Sequence, residues 1–362
     1  MKFGSCAIGI YESGQGRNAA AIRRISYVPR GCLAELTAKV TCIGSVLYRI
    51  FRVLRKVMMM EMNTCNLCPR NCSVDRENGK IGYCGQTDKV RIARAALHMW
   101  EEPCISGREG SGTVFFCGCT LRCIFCQNHE IALGINKNHE SIGKEVSIHR
   151  LKEIFLELQN QKANNINLVT GTHYIPQIAE SLRKAKAEGL VIPVVYNTGG
   201  YEKVESLRLL EGLVDIYLPD MKYVSKELSK EYSHAEDYFE VTSKAIEEMV
   251  RQVGESCFDE RGYMKKGVIV RHLVLPGSTK DSKAVIEYLW NTYGNDIYVS
   301  IMNQYTPMEQ IKNHPLLSRK VTRREYAKVV DYALNLGWEN AFIQEGETAK
   351  ESFIPGFDGV GV

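Results

Sequence analysis

From Thr113 onward, short apolar runs alternate with amphipathic stretches. Thr113 to Cys117, Ile166 to Thr170, Val191 to Tyr196, Val214 to Leu218, Gly267 to Leu275 and Ile297 to Met302 read as buried strands. Between them apolar residues recur at helical spacing. Ile148, Leu151, Ile154, Phe155 and Leu158 share a face behind Ser147, a natural N-cap. Pro176 suits the first turn of the next helix, and Val204, Leu207 and Leu210 mark a third. Helical patterns also run through Ala245 and Met249, over Ser282 to Trp290, and over Arg323 to Leu336. Ala341 to Gln344 has the makings of a short last strand. Strand-then-helix units in series predict an α/β fold: a partial (β/α)6, TIM-like barrel of parallel strands with helices outside. Chemistry in such a barrel sits at the C-terminal ends of the strands.

Composition adds one division. Residues 1–57 hold ten Lys/Arg against two acids, whereas the whole chain carries a formal charge of only +4. The remainder is therefore slightly acidic, and no broad nucleic-acid-binding surface is expected. The basic stretch is weakly periodic and is followed by Met58, Met59, Met60 and Met62. It reads either as a targeting peptide or as a translated upstream stretch, with the working protein starting near Met58. Glu12 and the apolar Val40 to Phe51 favour the second. Cys6, Cys32 and Cys42 have no ligand-like spacing. No apolar run approaches the roughly 20 residues that span a bilayer, so no membrane association is expected. A cytoplasmic location is expected because the clustered cysteines suit metal ligation in a reducing compartment better than disulfides.

Thirteen cysteines are many for such a chain, and seven fall in two tight groups. Cys119-Thr-Leu-Arg-Cys123-Ile-Phe-Cys126 follows the first strand directly. Three thiolates at this spacing can hold three corners of a 4Fe–4S cubane and leave the fourth iron open. An open position marks a catalytic rather than a structural centre. Cys117 is expected to turn away into packing. The loop resembles the radical SAM superfamily, with Phe125 in the aromatic place of its C-x3-C-x-aromatic-C hallmark. CTLRCIFCQNHE (119–130) further resembles the pyruvate formate-lyase activating enzymes, and the chain over about 65–357 resembles an uncharacterised activase-like subgroup. The stretches carrying that resemblance include ALHMWEEPCISGREGSGTVFFCGC, PVVYNTGGYE, DIYLPDMKY and VIVRHLVLPG. The resemblance implies S-adenosylmethionine (SAM) on the open iron, reductive cleavage to a 5′-deoxyadenosyl radical and abstraction of a hydrogen atom. It also implies an electron donor such as flavodoxin or ferredoxin, and a glycyl radical enzyme as target. Modification of a small molecule or peptide is the alternative. A non-catalytic iron–sulfur or zinc-binding protein is the reading from another class.

Further candidates stand at the other strand ends. Gly171-Thr172-His173 occupies the place where the family has a Gly-Gly-Glu-like segment for the SAM amino group, but with no carboxylate. Gly171 and Thr172 are assigned to cofactor binding, and His173 to substrate contact or proton handling. Asn197 and Thr198 of Asn-Thr-Gly-Gly, together with Phe125, are assigned to the SAM site. Asp220 and Lys222 resemble the Asp-x-Lys of the activases, which makes Lys222 a catalytic candidate. Arg271 and His272 are neighbours in one strand and must face opposite sides. Arg271 is expected inside, gripping the SAM carboxylate. Asn303, Gln304 and Tyr305 are expected at the mouth.

The second group, Cys65, Cys68, Cys72 and Cys84, has the spacing C-x2-C-x3-C-x11-C, with Pro69, Gly79 and Gly82 for its turns. Zinc and an auxiliary 4Fe–4S cluster both suit four thiolates. A structural metal is favoured, because nothing in the sequence brings this knuckle to the barrel mouth. Three regions follow: a leader over 1–57, a Cys-rich metal-binding region over 58–110 and the barrel domain over 111–362. A chain beginning at Met58 is expected to fold and to keep whatever SAM cleavage the full chain shows. Insolubility or loss of iron on truncation would show that the leader belongs to the fold.

Overall fold

The computed structural model describes residues 64–135, 140–344 and 356–362. The expectations for residues 1–57, for the methionine run and for Cys6, Cys32 and Cys42 lie outside the described residues. All described residues belong to one compact unit. Its strands are β1 (Val90–His98), β2 (Ser111–Phe116), β3 (Lys144–Val146), β4 (Ile166–Val169), β5 (Val194–Thr198), β6 (Ile216–Pro219), β7 (Cys257–Phe258), β8 (Met264–Leu273), β9 (Tyr298–Met302) and β10 (Ala341–Ile343). The sheet runs β10-β9-β8-β6-β5-β4-β2-β1-β3, with β7 paired to β8. From β2 to β10 every neighbouring pair on this path is parallel. The sheet is thus an open, TIM-like partial barrel, with the expected short last strand closing the parallel series.

The alternation of each strand divides two apolar layers. Val114, Phe116, Leu168, Tyr196, Tyr217, Val268 and Ile301 pack outward against the helices. Among these helices are α1 (Ile148–Asn160), α2 (Ile175–Ala187), α3 (Lys226–Ser233), α4 (Tyr238–Val253), α5 (Thr279–Tyr293) and α6 (Arg323–Leu336). On α1, Leu151, Ile154, Phe155 and Leu158 are all buried, which is the face expected from their spacing. Ser147 caps α1 by accepting from the Arg150 N–H, and Pro176 lies in the first turn of α2. The opposite strand faces carry Val195, Ile216, Leu218 and Ile269, which meet Cys104 and Ile105 of the segment after β1. That segment packs inside the barrel.

The expected Cys-rich region does not stop short of the sheet. Its residues 90–98 form β1, which pairs antiparallel with β2 and carries β3 on its far edge. A register shift between Ile92 and Arg94 interrupts the two-residue period there, and with it the pattern that identifies a strand in sequence.

Replacing Ser147 by Ala removes the cap bond of α1 and is expected to cost about 1 kcal/mol. The check is a fall in the urea midpoint with an unchanged slope. An unmoved midpoint would mean that the N-terminus of α1 draws no stability from this bond.

Candidate active site

The loop after β2 turns sharply twice. Gly118 sits at φ 90°. A methyl group there would stand 2.5 Å from Gln86 Cγ and 2.7 Å from the Cys84 carbonyl oxygen. Arg122 takes a left-handed φ of 53°, which folds the chain back between Cys119 and Cys123. The loop then rests on an aromatic bed. Leu121 and Phe125 pack with Tyr201, Tyr223, Tyr232, Tyr238 and Tyr305, and Cys119 and Cys123 lie against the same cluster. Leu121 N–H points at Cys119 Sγ at 3.4 Å, and the Ser233 hydroxyl at Cys123 Sγ at 2.9 Å. Burial, and then the neighbouring Cys123 and Cys119, push the Cys126 thiol up to about 12. Burial also raises Cys123, against the pull of Lys222. Two crowded thiols that resist ionisation, with the Cys119 sulfur in the same loop, call for cationic metal in their midst. Among the described residues no three His, Cys, Asp or Glu side chains converge tightly enough to share a single ion. A cubane asks for something else, one thiolate per iron, and this donor set fits it. Cys117 is fully buried, with its sulfur 3.4 Å from the Ile142 carbonyl oxygen, and its thiol is pushed up to about 12 by burial. It belongs to packing, as expected.

Below the loop lies a cavity of about 960 Å³ in the barrel lumen. Cys123, Phe125 and Cys126 bound it on one side, and Lys222, Arg271, Asn197, Gln304 and Tyr305 line it. Lys222 Nζ is 2.5 Å from Asp220 Oδ2. Burial disfavours the Lys222 ammonium, but Asp220 outweighs burial and holds it above the ordinary lysine range. Arg271 faces the lumen while His272 faces away: the His272 ring bonds the Met221 carbonyl oxygen at 2.8 Å, and burial pushes its pKa down to about 4. The floor comes from the segment after β1, with Glu101 and Glu102.

Several assignments change. The Arg271 guanidinium is already divided among Asp220 Oδ1 (3.0 Å), Glu101 Oε2 (3.3 Å) and Asn197 Oδ1 (2.6 Å), so it is not free to grip a carboxylate in this arrangement. His173 does not line the cavity. Its ring is buried against the Cys117 carbonyl oxygen at 2.7 Å, and burial pushes it down to about 3, a neutral imidazole with no access to substrate. Gly171 serves close packing, since a methyl there would stand 2.5 Å from Ile178 Cδ1. Asn303 is likewise absent from the cavity wall, and its N–H donates to Gln344. Thr172 and Thr198 point away from the lumen and both donate to the buried Glu202, Thr172 at 2.6 Å. Glu202, in the turn after β5, is thus a buried carboxyl beside the end of β4 that does not line the cavity. Nothing in the strand pattern singles it out; its place in the quoted stretch PVVYNTGGYE was the available signal. Glu101 and Glu102 were missed for the same reason as β1.

The Cys65–Cys84 knuckle is not remote from the cluster loop. Arg70 Nε donates to the Thr120 carbonyl oxygen at 2.7 Å, and Cys119 N–H to the Cys84 carbonyl oxygen at 3.3 Å. Cys68 and Cys84 are buried, Cys65 and Cys72 partly so.

An open α/β barrel thus carries a three-thiol loop at the end of its first parallel strand, beside the lumen. Residues 113–289 match the model of the Radical SAM superfamily, a match that does not reach the activase subgroup. A relative in Methanocaldococcus jannaschii, an uncharacterized protein, is 29% identical over 273 residues, covering 74% of either chain. Solved structures that resemble it include Streptococcus suis SuiB bound to S-adenosylmethionine (15% identity, TM-score 0.41, covering 63% of this chain and 48% of that one). Another is the FeFe-hydrogenase maturase HydG of Carboxydothermus hydrogenoformans (15% identity, TM-score 0.44, covering 63% and 52%). The chain thus spans about half the length of these structures. Among the described residues no helix is long and apolar enough to cross a membrane.

Glu202 yields a test. Burial raises its carboxyl from 4.5 to about 7. A carboxyl raised on folding stabilises the fold fully below its unfolded pKa and loses that contribution as pH rises to the folded value. Relative to Glu202→Gln, wild-type stability should therefore decline between about pH 4.5 and 7 by on the order of 3 kcal/mol, then level off. Parallel stability curves for the two proteins would show that Glu202 ionises freely in the fold.

Proposed function

We propose that this chain is a radical SAM enzyme, with Cys119, Cys123 and Cys126 as the three protein ligands of a 4Fe–4S cluster and the lumen as the substrate chamber. The observation that carries the reading is the placing of those three thiols at the end of the first parallel strand, against a cavity of about 960 Å³ that Lys222, Asp220 and Arg271 line together with apolar residues. When bound and reduced, the cluster with SAM on its open iron supplies a 5′-deoxyadenosyl radical and methionine. The chain's own part is to orient and to exclude water. Leu121 N–H and the Ser233 hydroxyl point at two of the sulfurs and fix their geometry. Phe125 seals the loop against Tyr232 and Tyr305, at ring distances of 6.4 and 6.2 Å. Lys222 and Asp220 present a buried cation and anion to the lumen, where a zwitterionic amino-acid end can exchange partners with them. Asn197 stands beside them on β5. A low-potential one-electron carrier, flavodoxin or ferredoxin in class, is the partner this chemistry requires. Activation of a glycyl radical enzyme rests on the loop resemblance alone, and the lumen equally suits a small molecule or a peptide end.

The test is anaerobic reconstitution with iron and sulfide, reduction in the presence of SAM, and assay of 5′-deoxyadenosine. Each of Cys119→Ala, Cys123→Ala and Cys126→Ala should lower its formation to background, while Cys117→Ala should keep the iron. Unimpaired 5′-deoxyadenosine from any of the three would overturn the ligand assignment.

A further inference from the structure

Cys65, Cys68, Cys72 and Cys84 come together around Gly82. A methyl group at Gly82 would stand 3.1 Å from Cys72 Sγ and 3.6 Å from Cys84 Sγ. Arg76 ties two of them together: its guanidinium reaches Cys65 Sγ at 3.7 Å and donates to the Gln86 carbonyl oxygen, which lies 3.9 Å from Cys84 Sγ, while Asn71 N–H closes the turn onto the Cys68 carbonyl oxygen. Among the described residues no group of three or more His, Cys, Asp or Glu side chains is already arranged around a single ion. Tetrahedral zinc needs all four sulfurs on one centre. A cubane gives each sulfur its own iron and holds them farther apart.

The surroundings are cationic in an unusual way. Arg76 is 4% exposed, and its guanidinium donates to the carbonyl oxygens of Gln86, His173 and Thr87 and reaches Cys65 Sγ at 3.7 Å. Every one of these partners is a neutral carbonyl or a sulfur. Arg70 donates to the carbonyl oxygens of Thr120, His234 and Ser233 and lies over the rings of Tyr83 and Tyr201. Arg122 also lies over Tyr83, with its buried Nε unpartnered. Glu202, a buried carboxyl near Cys68, accepts from Thr172, Thr198 and Tyr196 and from none of the three arginines. A buried cation without a counter-charge is costly. Arg76 is such a cation, and with the half-buried Arg70 and Arg122 around the same thiol group it asks for an anion at its centre; four thiolates on a cluster carry net negative charge.

The same arginines tie the knuckle to the first loop. Arg70 holds Thr120, between Cys119 and Cys123, and also α3 at Ser233, whose hydroxyl points at Cys123 Sγ. Cys84 accepts from the backbone of Cys119. Arg76 reaches the end of β4 at His173.

We infer that Cys65, Cys68, Cys72 and Cys84 hold a second 4Fe–4S cluster, set in backbone contact with the loop of the first. The words "second" and "first" rest on the reading of the Cys119 loop given above; the four-thiol site itself does not. Zinc at this place would only fix the fold. An iron–sulfur centre can also exchange single electrons with a reduced carrier protein on its partly exposed side, where Cys65 and Cys72 lie. No atom is transferred in that exchange, and the carrier is oxidised by the one electron it gives.

The test uses the full chain carrying Cys119→Ala, Cys123→Ala and Cys126→Ala together, reconstituted anaerobically with iron and sulfide in the presence of equimolar zinc. It should retain about four irons and four sulfides per chain and give a dithionite-induced paramagnetic signal. Retention of one zinc with almost no iron, or of neither metal, overturns the inference. Should the triple variant not fold, the wild-type chain decides: about eight irons support the inference, and about four overturn it. Failure of SAM cleavage in the wild type would bear on the first site and leave these counts as they stand.

Discussion

Arg271 is the charge around which the lumen is assembled. It reaches from β8 to Asp220 after β6, to Asn197 on β5 and to Glu101 on the floor. Asp220 in turn holds Lys222, so the network joins β5, β6 and β8 and the inserted floor segment. Burial alone would raise the Asp220 carboxyl, and Lys222 and Arg271 together bring it below its ordinary value. Glu101 remains raised, because burial outweighs Arg271 there. Removing the guanidinium would leave buried carboxyls unpaired, a change that typically costs about 3–5 kcal/mol. The same network explains why the lumen stays open. Charged groups hydrogen-bonded to one another at the wall cannot collapse into an apolar core, so the cavity lies above the layer in which Val195, Ile216 and Ile269 pack with Cys104 and Ile105.

The parallel strands, their helices and the three-cysteine loop were legible in the sequence because each depends on local period or spacing. The opposite facing of Arg271 and His272 was legible too, since it follows from strand geometry alone. What escaped depends on long-range placement. His173 stands at a strand end but turns onto the Cys117 carbonyl, where the antiparallel β1 and the knuckle close the space behind it. Thr172 stands 30 residues before Glu202 and meets it only because the ends of β4 and β5 are adjacent. The floor residues Glu101 and Glu102 follow a strand whose bulge erased its alternation.

The knuckle shows the same limit from the other side. Its cysteine spacing announced a metal site, yet its position before the barrel in sequence argued for a detached module. Arg70 and Arg76 reverse that conclusion, each bridging more than 90 residues of chain to a carbonyl of the barrel. Neither arginine is marked in the sequence by a partner of opposite charge. Their partners are main-chain carbonyls, which every residue has.

That choice of partner has a consequence for the whole upper face. A guanidinium satisfied by carbonyls keeps its positive charge, whereas one paired with a carboxylate loses most of its field. The structure uses both forms. Arg271 in the lumen is neutralised by carboxylates and builds a scaffold. Arg70 and Arg76 beside the thiols are left charged and build a field. Lys222 stands between the two, bound to Asp220 yet close enough to Cys123 to favour its thiolate. Negative charge gathered on sulfur at the strand ends is therefore opposed from the knuckle side by bare cations and from the lumen side by a compensated one. A cofactor whose charge grows more negative on reduction is favoured most where the uncompensated cations lie.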